Sequence, residues 1–356
     1  MKVILIVPFV FLQAQIMAGN KVKKHWIASR SGVHTTIICV AILYLFINGT
    51  GRLGIPYKPY DPELFAKIKD SMFEGFNNIT GTKNGSYIVP NYVHFLFFGN
   101  PRISYVHSVC ILAAFKNQKP ERIYFHTDVK EFVGPHWIKI RDTLGSVLHF
   151  ANVTLPYEIK GHKFTFPYHV YHASDVTRIR ILMEYGGIFV DNDSYIVKSL
   201  DVFRKYEMTI GVTDGDFLGT QVLIAHKEAR FLKLWLESYK DYQPQSFYFN
   251  AGQKPMFEII HRMPEIVHSL DVLLGVRGLT RHLYVWDTWS NWRKYYSIHL
   301  VIRHRHYLDT LLNYLRWPSI NENNICDYPH PFGEMAREVY SDFCPKSGNE
   351  VSKVVK

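Results

Sequence analysis

Cysteine is scarce in this chain, with four among 356 residues: Cys39, Cys110, Cys326 and Cys344. None has metal-ligand spacing, which excludes a cysteine-built metal site. Cys110, between Val109 and Ile111, reads as a buried thiol. Cys326 and Cys344 are near enough in sequence to bridge in an oxidising compartment. No internal repeat is present, which excludes a solenoid or propeller. Zinc-finger spacing, an RNP motif and a sustained basic helix are also missing. Nucleic acid is therefore a poor partner for the formal charge of +10. The longest apolar run is slightly short for a membrane span, which needs about 17 to 25 residues.

What is present is a globular composition. Hydrophobic residues make up 47% and aromatics 15%, which excludes a disordered chain and provides for a large aromatic core. The length suits one large α/β domain with short additions. Positive charge gathers at Lys21, Lys23, Lys24 and Arg30, and again from Arg293 to Arg305. It reads as a solvated basic surface, or more sharply as a surface for a diphosphate-bearing ligand.

Residues 33–48 form an apolar run around Cys39 that no Asp, Glu, Lys or Arg interrupts. Basic residues precede it and few follow closely. The expected topology is a type II signal-anchor with the bulk of the chain outside the cytosol. Its shortness suits the thinner membranes of the early secretory pathway. Sequons at Asn48, where the run ends, and at Asn78, Asn84 and Asn152 beyond it lie on the same side. Residues 1–32 read as a cytosolic tail that is not cleaved, or as a segment whose true start is Met17. A second apolar run, from Val3 to Leu12, resembles a signal-peptide core. Residues 49–90, rich in Gly, Pro, Asn and Lys, read as a stem. Residues 91–345 then form the main domain and 346–356 a tail.

Within the main domain, strands and helices alternate. Tyr92–Phe98 is a nearly continuous apolar strand, as in a parallel sheet covered on both faces. A helix from Ser104 to Phe115 follows. Further strands are expected at Arg122–His126, Leu148–Val153, Met208–Val212 and Val222–Ala225, and an amphipathic helix at Glu228–Tyr239. The alternation predicts an α/β doubly wound sheet.

The chemically informative stretch is His172 to Asp201. Ser174 or Asp175 is expected to cap a helix that runs to Tyr185, where Gly186-Gly187 stops it. Ile188-Phe189-Val190 is a short buried strand, and Asp191-Asn192-Asp193 follows it. Two carboxylates thus emerge at the carboxyl end of a strand, where open α/β sheets bind ligands. So spaced, they can share a hard divalent cation that keeps positions open for phosphate oxygens. Asp214-Gly215-Asp216 has the same spacing but reads as a turn. Asp175 and Arg178 share one helical face. Trp286, Trp289 and Trp292 are spaced for core packing, with an acceptor pocket as the alternative.

Residues 172 to 193, with the pattern S-D-x-x-R then G-G-x-x-x-D-x-D, resemble the sugar-binding region of the DxD glycosyltransferases. That family includes the α1,4-galactosyl- and α1,4-N-acetylglucosaminyltransferases and the Och1-like mannosyltransferases. Weaker resemblance covers roughly residues 90 to 305, through Val93-His94, Asn250-Ala251-Gly252 and Ser297-Ile298-His299-Leu300. It implies a GT-A fold, a single Rossmann-like nucleotide-sugar-binding domain. The implied activity is retaining transfer of a hexose or N-acetylhexosamine from a UDP-sugar to a glycan, glycolipid or glycoprotein acceptor. Asp175, Arg178, Phe189 and Asn192 would hold the donor. Asp191 would contact the ribose and sugar side and Asp193 the metal; as the catalytic pair they would, with His299, bind Mn2+ or Mg2+. Phe189 stands where relatives often carry Tyr. With the anchor, the resemblance implies a Golgi membrane enzyme with a luminal catalytic domain. Two other readings remain: an inactive sugar-nucleotide-binding module, and a haloacid-dehalogenase-like phosphatase using Asp191.

Overall fold

The computed structural model describes residues 72–213, 217–275, 282–285, 289–340 and 344. All belong to the unit Asp61–Lys356. The expected tail and anchor at 1–48, the stem up to residue 71, Trp286, the Asp214–Asp216 pair and the segment 346–356 lie outside them. No helix among the described residues is long and apolar enough to cross a membrane.

The sequence order opens with β1 (Tyr92–Phe97), α1 (Tyr105–Gln118), β2 (Arg122–Thr127), α2 (Pro135–Leu144) and β3 (Leu148–Asn152). The small hairpin β4 (Glu158–Ile159) and β5 (His162–Lys163) leads to α3 (His169–Tyr185) and β6 (Gly187–Val190). Then come β7 (Ser194–Ile196), β8 (Met208–Thr213), β9 (Phe217–Ala225), α4 (Arg230–Ser238) and β10 (His268–Asp271). After α5 (His282–Val285) and β11 (Ser297–His299) stand α6 (Arg305–Leu308), α7 (Leu311–Arg316) and α8 (Pro331–Val339).

Seven strands form the main sheet in the order β10-β8-β9-β6-β1-β2-β3. The sheet is mixed, with mostly parallel pairs. β9 pairs antiparallel with both β6 and β8, while the other neighbours pair parallel. β8 and β9 are consecutive, so a short connection joins them as a hairpin, which cannot be parallel.

Alternate residues of each central strand enter two separate cores, one on each sheet face. Ile188, Val190, Val222 and Ile224 pack with α1; Phe189, Leu223 and Ala225 pack with α3 and α4. Both faces of β6 are thus covered, which explains its unbroken apolar sequence.

Helix α3 starts earlier than expected. Ser174 and Asp175 lie inside it, not at its cap. Residues 169–173 contain no breaker, and Ser174 Oγ donates to the Val170 carbonyl at 2.8 Å. Its end matches the expectation. Gly186 adopts φ +64 and its N–H donates to the Leu182 carbonyl. Gly187 has φ +107, and a Cβ there would lie 2.6 Å from the Tyr92 carbonyl oxygen and 2.8 Å from His94 Nε2. Only glycine fits.

The stem also needs correction over 72–90. Phe73 and Val89 are buried, and Asn78 is fully buried. The Asn78 amide donates to Glu207 and to the Glu265 carbonyl, and its Oδ1 accepts from the Glu207 N–H. Residue 78 is therefore part of the folded domain, and its sequon is closed to modification in the native state. Asn84 and Asn152 are exposed. Trp292 is core, with Nε1–H donating to Glu334, and Trp289 is nearly buried. Cys326 and Cys344 form a disulfide, and Cys110 is a buried free thiol.

Candidate active site

Asp191 leaves β6 at its carboxyl end. Its N–H donates to the Gln221 carbonyl at 2.8 Å, and its own carbonyl accepts from Ser194 N–H at 2.8 Å. That turn reverses the chain into β7. Strand β11 pairs antiparallel with β7, setting His299 opposite Ser194 and hence beside Asp193. His299 Nε2 lies 3.1 Å from Asp193 Oδ1. The Leu300 N–H donates to the Asp193 carbonyl at 2.8 Å, and the Ile302 N–H to Asp193 Oδ2 at 3.1 Å.

Residues 299–302 therefore wrap around Asp193. The wrap needs a sharp reversal at Val301, whose φ of 48 is left-handed. A β-branched residue is strained there. Gly275 supports the same strand from behind. It has φ +72, and a Cβ on it would stand 2.5 Å from the Ile298 Cα.

Asp191 is held from the other side. Arg178 Nη1 donates to Asp191 Oδ1 at 2.9 Å and to the Thr220 carbonyl at 2.6 Å, while Nη2 lies 3.2 Å from Asp175 Oδ1. Arg178 and Asp175 are buried. The Phe189 ring lies 5.0 Å below the guanidinium carbon and is 1% exposed. The resemblance implies that Phe189 holds the donor; its ring is instead buried and supports Arg178 by a cation–π contact. The Asn192 amide donates to the Leu96 carbonyl at 2.8 Å. Its Oδ1 and the Ser194 Oγ are buried without a partner.

The electrostatics divide the acids. Burial alone would raise the Asp193 carboxyl. The charge and hydrogen bond of His299, the charge of His107 and the Ile302 amide outweigh it and hold Asp193 far below the usual range. Burial would lower His299, but Asp193 and Asp191 raise it. Asp175 is pushed from 3.8 up to about 7 by burial, which the Arg178 charge opposes and the Asp191 charge assists. Burial lowers His107 against the attraction of Asp193, with Arg303 adding to the fall.

One oxygen each from Asp191 and Asp193 and one nitrogen of His299 lie within 4.8 Å of one another, and all three side chains are half-buried. Two carboxylates and an imidazole suit a hard or borderline divalent ion such as Mn2+ or Mg2+. The orphaned Asn192 and Ser194 oxygens, flanking Asp193 in sequence, leave further polar capacity beside that donor set. The residues present fit a divalent cation.

Sequence reasoning anticipated Asp175, Arg178, Asp191, Asn192, Asp193 and His299 at this place. It missed His107, Thr220 and Ile302. The latter two act through backbone groups, which carry no residue-type signal.

The fold and the site together define an α/β domain with an Asp-Asp-His cluster at the carboxyl edge of its sheet. Residues 136–210 match the glycosyltransferase sugar-binding region containing DXD motif. Over that stretch the chain is similar to the DXD-motif glycosyltransferases. Glucan organizing enzyme 1 of Cryptococcus neoformans var. grubii is 24% identical over 225 residues, 58% of this chain and 57% of that protein. Lactosylceramide 4-alpha-galactosyltransferase of Rattus norvegicus is 26% identical over 134 residues, 37% of this chain and 36% of that protein. The chain thus aligns with little more than half of the first relative and about a third of the second. Among solved structures, PaToxG glycosyltransferase is similar with a TM-score of 0.35 at 17% identity, covering 57% of this chain and 81% of that one. The galactosyltransferase LgtC is similar with a TM-score of 0.30 at 16% identity, covering 51% and 74%.

Proposed function

We propose that this chain is a retaining hexosyltransferase of GT-A type. It moves a hexose or N-acetylhexosamine from a UDP-sugar to a hydroxyl of a glycan, glycolipid or glycoprotein. The observation that carries the reading is the convergence of Asp191, Asp193 and His299 at the end of β6. A divalent cation held there, Mn2+ or Mg2+, supplies charge stabilisation for a departing nucleoside diphosphate.

The chain's own residues perform the rest. Asp193 stays ionised at all physiological pH values, because His299 and the Ile302 amide favour its charged form. Arg178 fixes Asp191 through one nitrogen and Asp175 through the other, so Asp191 keeps its second oxygen for a ligand. Asn192, tied to Leu96 of β1, holds the turn between the two acids against the sheet. Arg178 and Asp175 also bound the donor-sugar side in this reading. The acceptor hydroxyl is brought to the face that the diphosphate leaves, and positioning carries the reaction.

In the same reading, residues 33–48 anchor the chain as a single-pass type II protein of the Golgi membrane with the catalytic domain in the lumen. The basic segment before that run and the sequons after it support this orientation. The Cys326–Cys344 disulfide suits an oxidising compartment.

The test is a screen of UDP- and GDP-sugars with the purified full chain and Mn2+, read as slow donor hydrolysis. The expected result is turnover of one UDP-sugar that stops with chelator and with Asp193→Asn. UDP binding without turnover on any donor or acceptor would replace it with the inactive-module reading.

A further inference from the structure

The surface that follows the site along the chain has an unusual composition. In α6 and α7, Tyr307, Leu311, Leu312 and Leu315 are 77%, 66%, 81% and 65% exposed. Single exposed leucines are ordinary, but three on a six-residue helix are not. Leu311 and Leu315 are one turn apart and Leu312 adjoins Leu311, so the three share a face.

This segment is firmly built. Thr310 caps α7 by accepting the Asn313 N–H. The Asn313 amide donates to the Tyr284 carbonyl and to Asp309. Arg305 is buried and donates to Asp309 and to the Trp317 carbonyl. Asp309 is the one carboxylate in residues 302–317, and those bonds keep its side chain out of solvent. What faces water is three leucines and a tyrosine, with Arg303, His304, His306 and Arg316 around them.

We infer that residues 303–316 dock on an anionic lipid bilayer. Leucines enter the acyl boundary, the tyrosine sits at headgroup level, and the arginines meet lipid phosphates. A segment with exposed basic groups and no exposed carboxylate of its own complements an anionic lipid surface. Ile302, whose N–H donates to Asp193, immediately precedes this segment in the chain. The docking does not depend on the sugar-transfer reading. It is likewise independent of the luminal orientation proposed above, because phosphatidylserine-type charge belongs to the cytoplasmic leaflet.

The experiment reads amide hydrogen exchange of residues 311–316 in the full chain. The chain is placed on nanodiscs of phosphatidylcholine alone or with about one third phosphatidylserine. Exchange is expected to slow by about tenfold or more on the anionic discs, roughly what partial burial of one leucine supplies. Arg316→Gln should reduce that slowing. Replacing Leu311, Leu312 and Leu315 together with Gln should abolish it without lowering the thermal midpoint. Equal exchange on the two discs would overturn the inference. So would protection that follows protein concentration instead of lipid, which would mark a contact between proteins. A large loss of thermal stability in the triple variant would also overturn it, by showing those leucines packed inside the fold.

Discussion

Arg178 ties together more of the site than any other side chain described above. It bonds Asp191 and the Thr220 carbonyl, pairs with Asp175, and lies over Phe189. Arg178→Ala leaves two acids facing one another in a buried space. A loss of about 3–5 kcal/mol in chemical unfolding is expected, the range for a buried pair broken on one side. Arg178→Lys keeps the charge but cannot hold both acids with a planar fork, so it should fold yet lose most donor affinity. Asp193→Asn and His299→Ala should each cost about a hundredfold or more in metal-dependent turnover. Asp175 gives a pH signature. Between 3.8 and about 7 the folded acid keeps a proton that the unfolded chain has released. Its stabilising contribution is therefore complete below 3.8 and lost as pH rises through about 7. The stability of Asp175→Asn relative to the native chain should rise across that window. Unfolding titrations at matched pH would check it, and a constant difference would contradict the buried-acid assignment.

At the scale of elements, the site depends on the wrap of residues 299–302 around Asp193. Val301→Asn should stabilise the fold by about 1 kcal/mol, because Asn tolerates the left-handed region and Val does not. Val301→Pro cannot adopt φ 48, should release the Ile302 amide, and should weaken metal-dependent UDP binding. Calorimetric titration separates the two effects. On the far side of the sheet, His94 and His126 are buried, 2.9 Å apart, and His94 also contacts the Gly186 carbonyl. Burial first, then the neighbouring His126, pulls His94 down to about 3; burial pulls His126 down to about 4. Below pH 6.5 the unfolded chain takes up protons that these rings refuse. Their joint contribution to stability should fall as pH drops from 6.5 toward about 4, by up to about 2.7 kcal/mol per pH unit for two protons, against the opposite slope from Asp175. His126→Phe should roughly halve their slope.

Much of β6 and its surroundings was legible in the sequence. The unbroken apolar run of residues 188–190 marks a strand covered on both faces. The double glycine marks a helix end and a close approach that Gly187 makes against Tyr92 and His94. The start of α3 was not legible, because Ser174 and Asp175 are capping residue types whose side chains instead bond within the helix or to Arg178. Nor was the antiparallel direction of β9, since an apolar strand carries no mark of its direction. The bond from Ile302 to Asp193 spans more than a hundred residues and uses a backbone amide, so no residue type announces it.

At the scale of the whole molecule, Asn78 limits where the domain begins. A domain cut after residue 90 would leave Glu207 and Arg230 without their Asn78 and Phe76 partners, so it should fold poorly. The same burial makes a prediction about modification. In a secreted or luminal setting, glycan mapping by mass spectrometry should find sugar at Asn84 or Asn152 and none at Asn78. A glycan on Asn78 in folded, active protein would contradict the packing.

The most direct test of the central claim is calorimetric titration of UDP into the full chain with Mn2+ present, in native, Asp193→Asn and His299→Ala forms. The account predicts binding by the native chain that vanishes with chelator, and a loss of about a hundredfold or more in each variant. UDP binding that is equally strong without metal, or undiminished in both variants, would contradict a cation held by Asp191, Asp193 and His299.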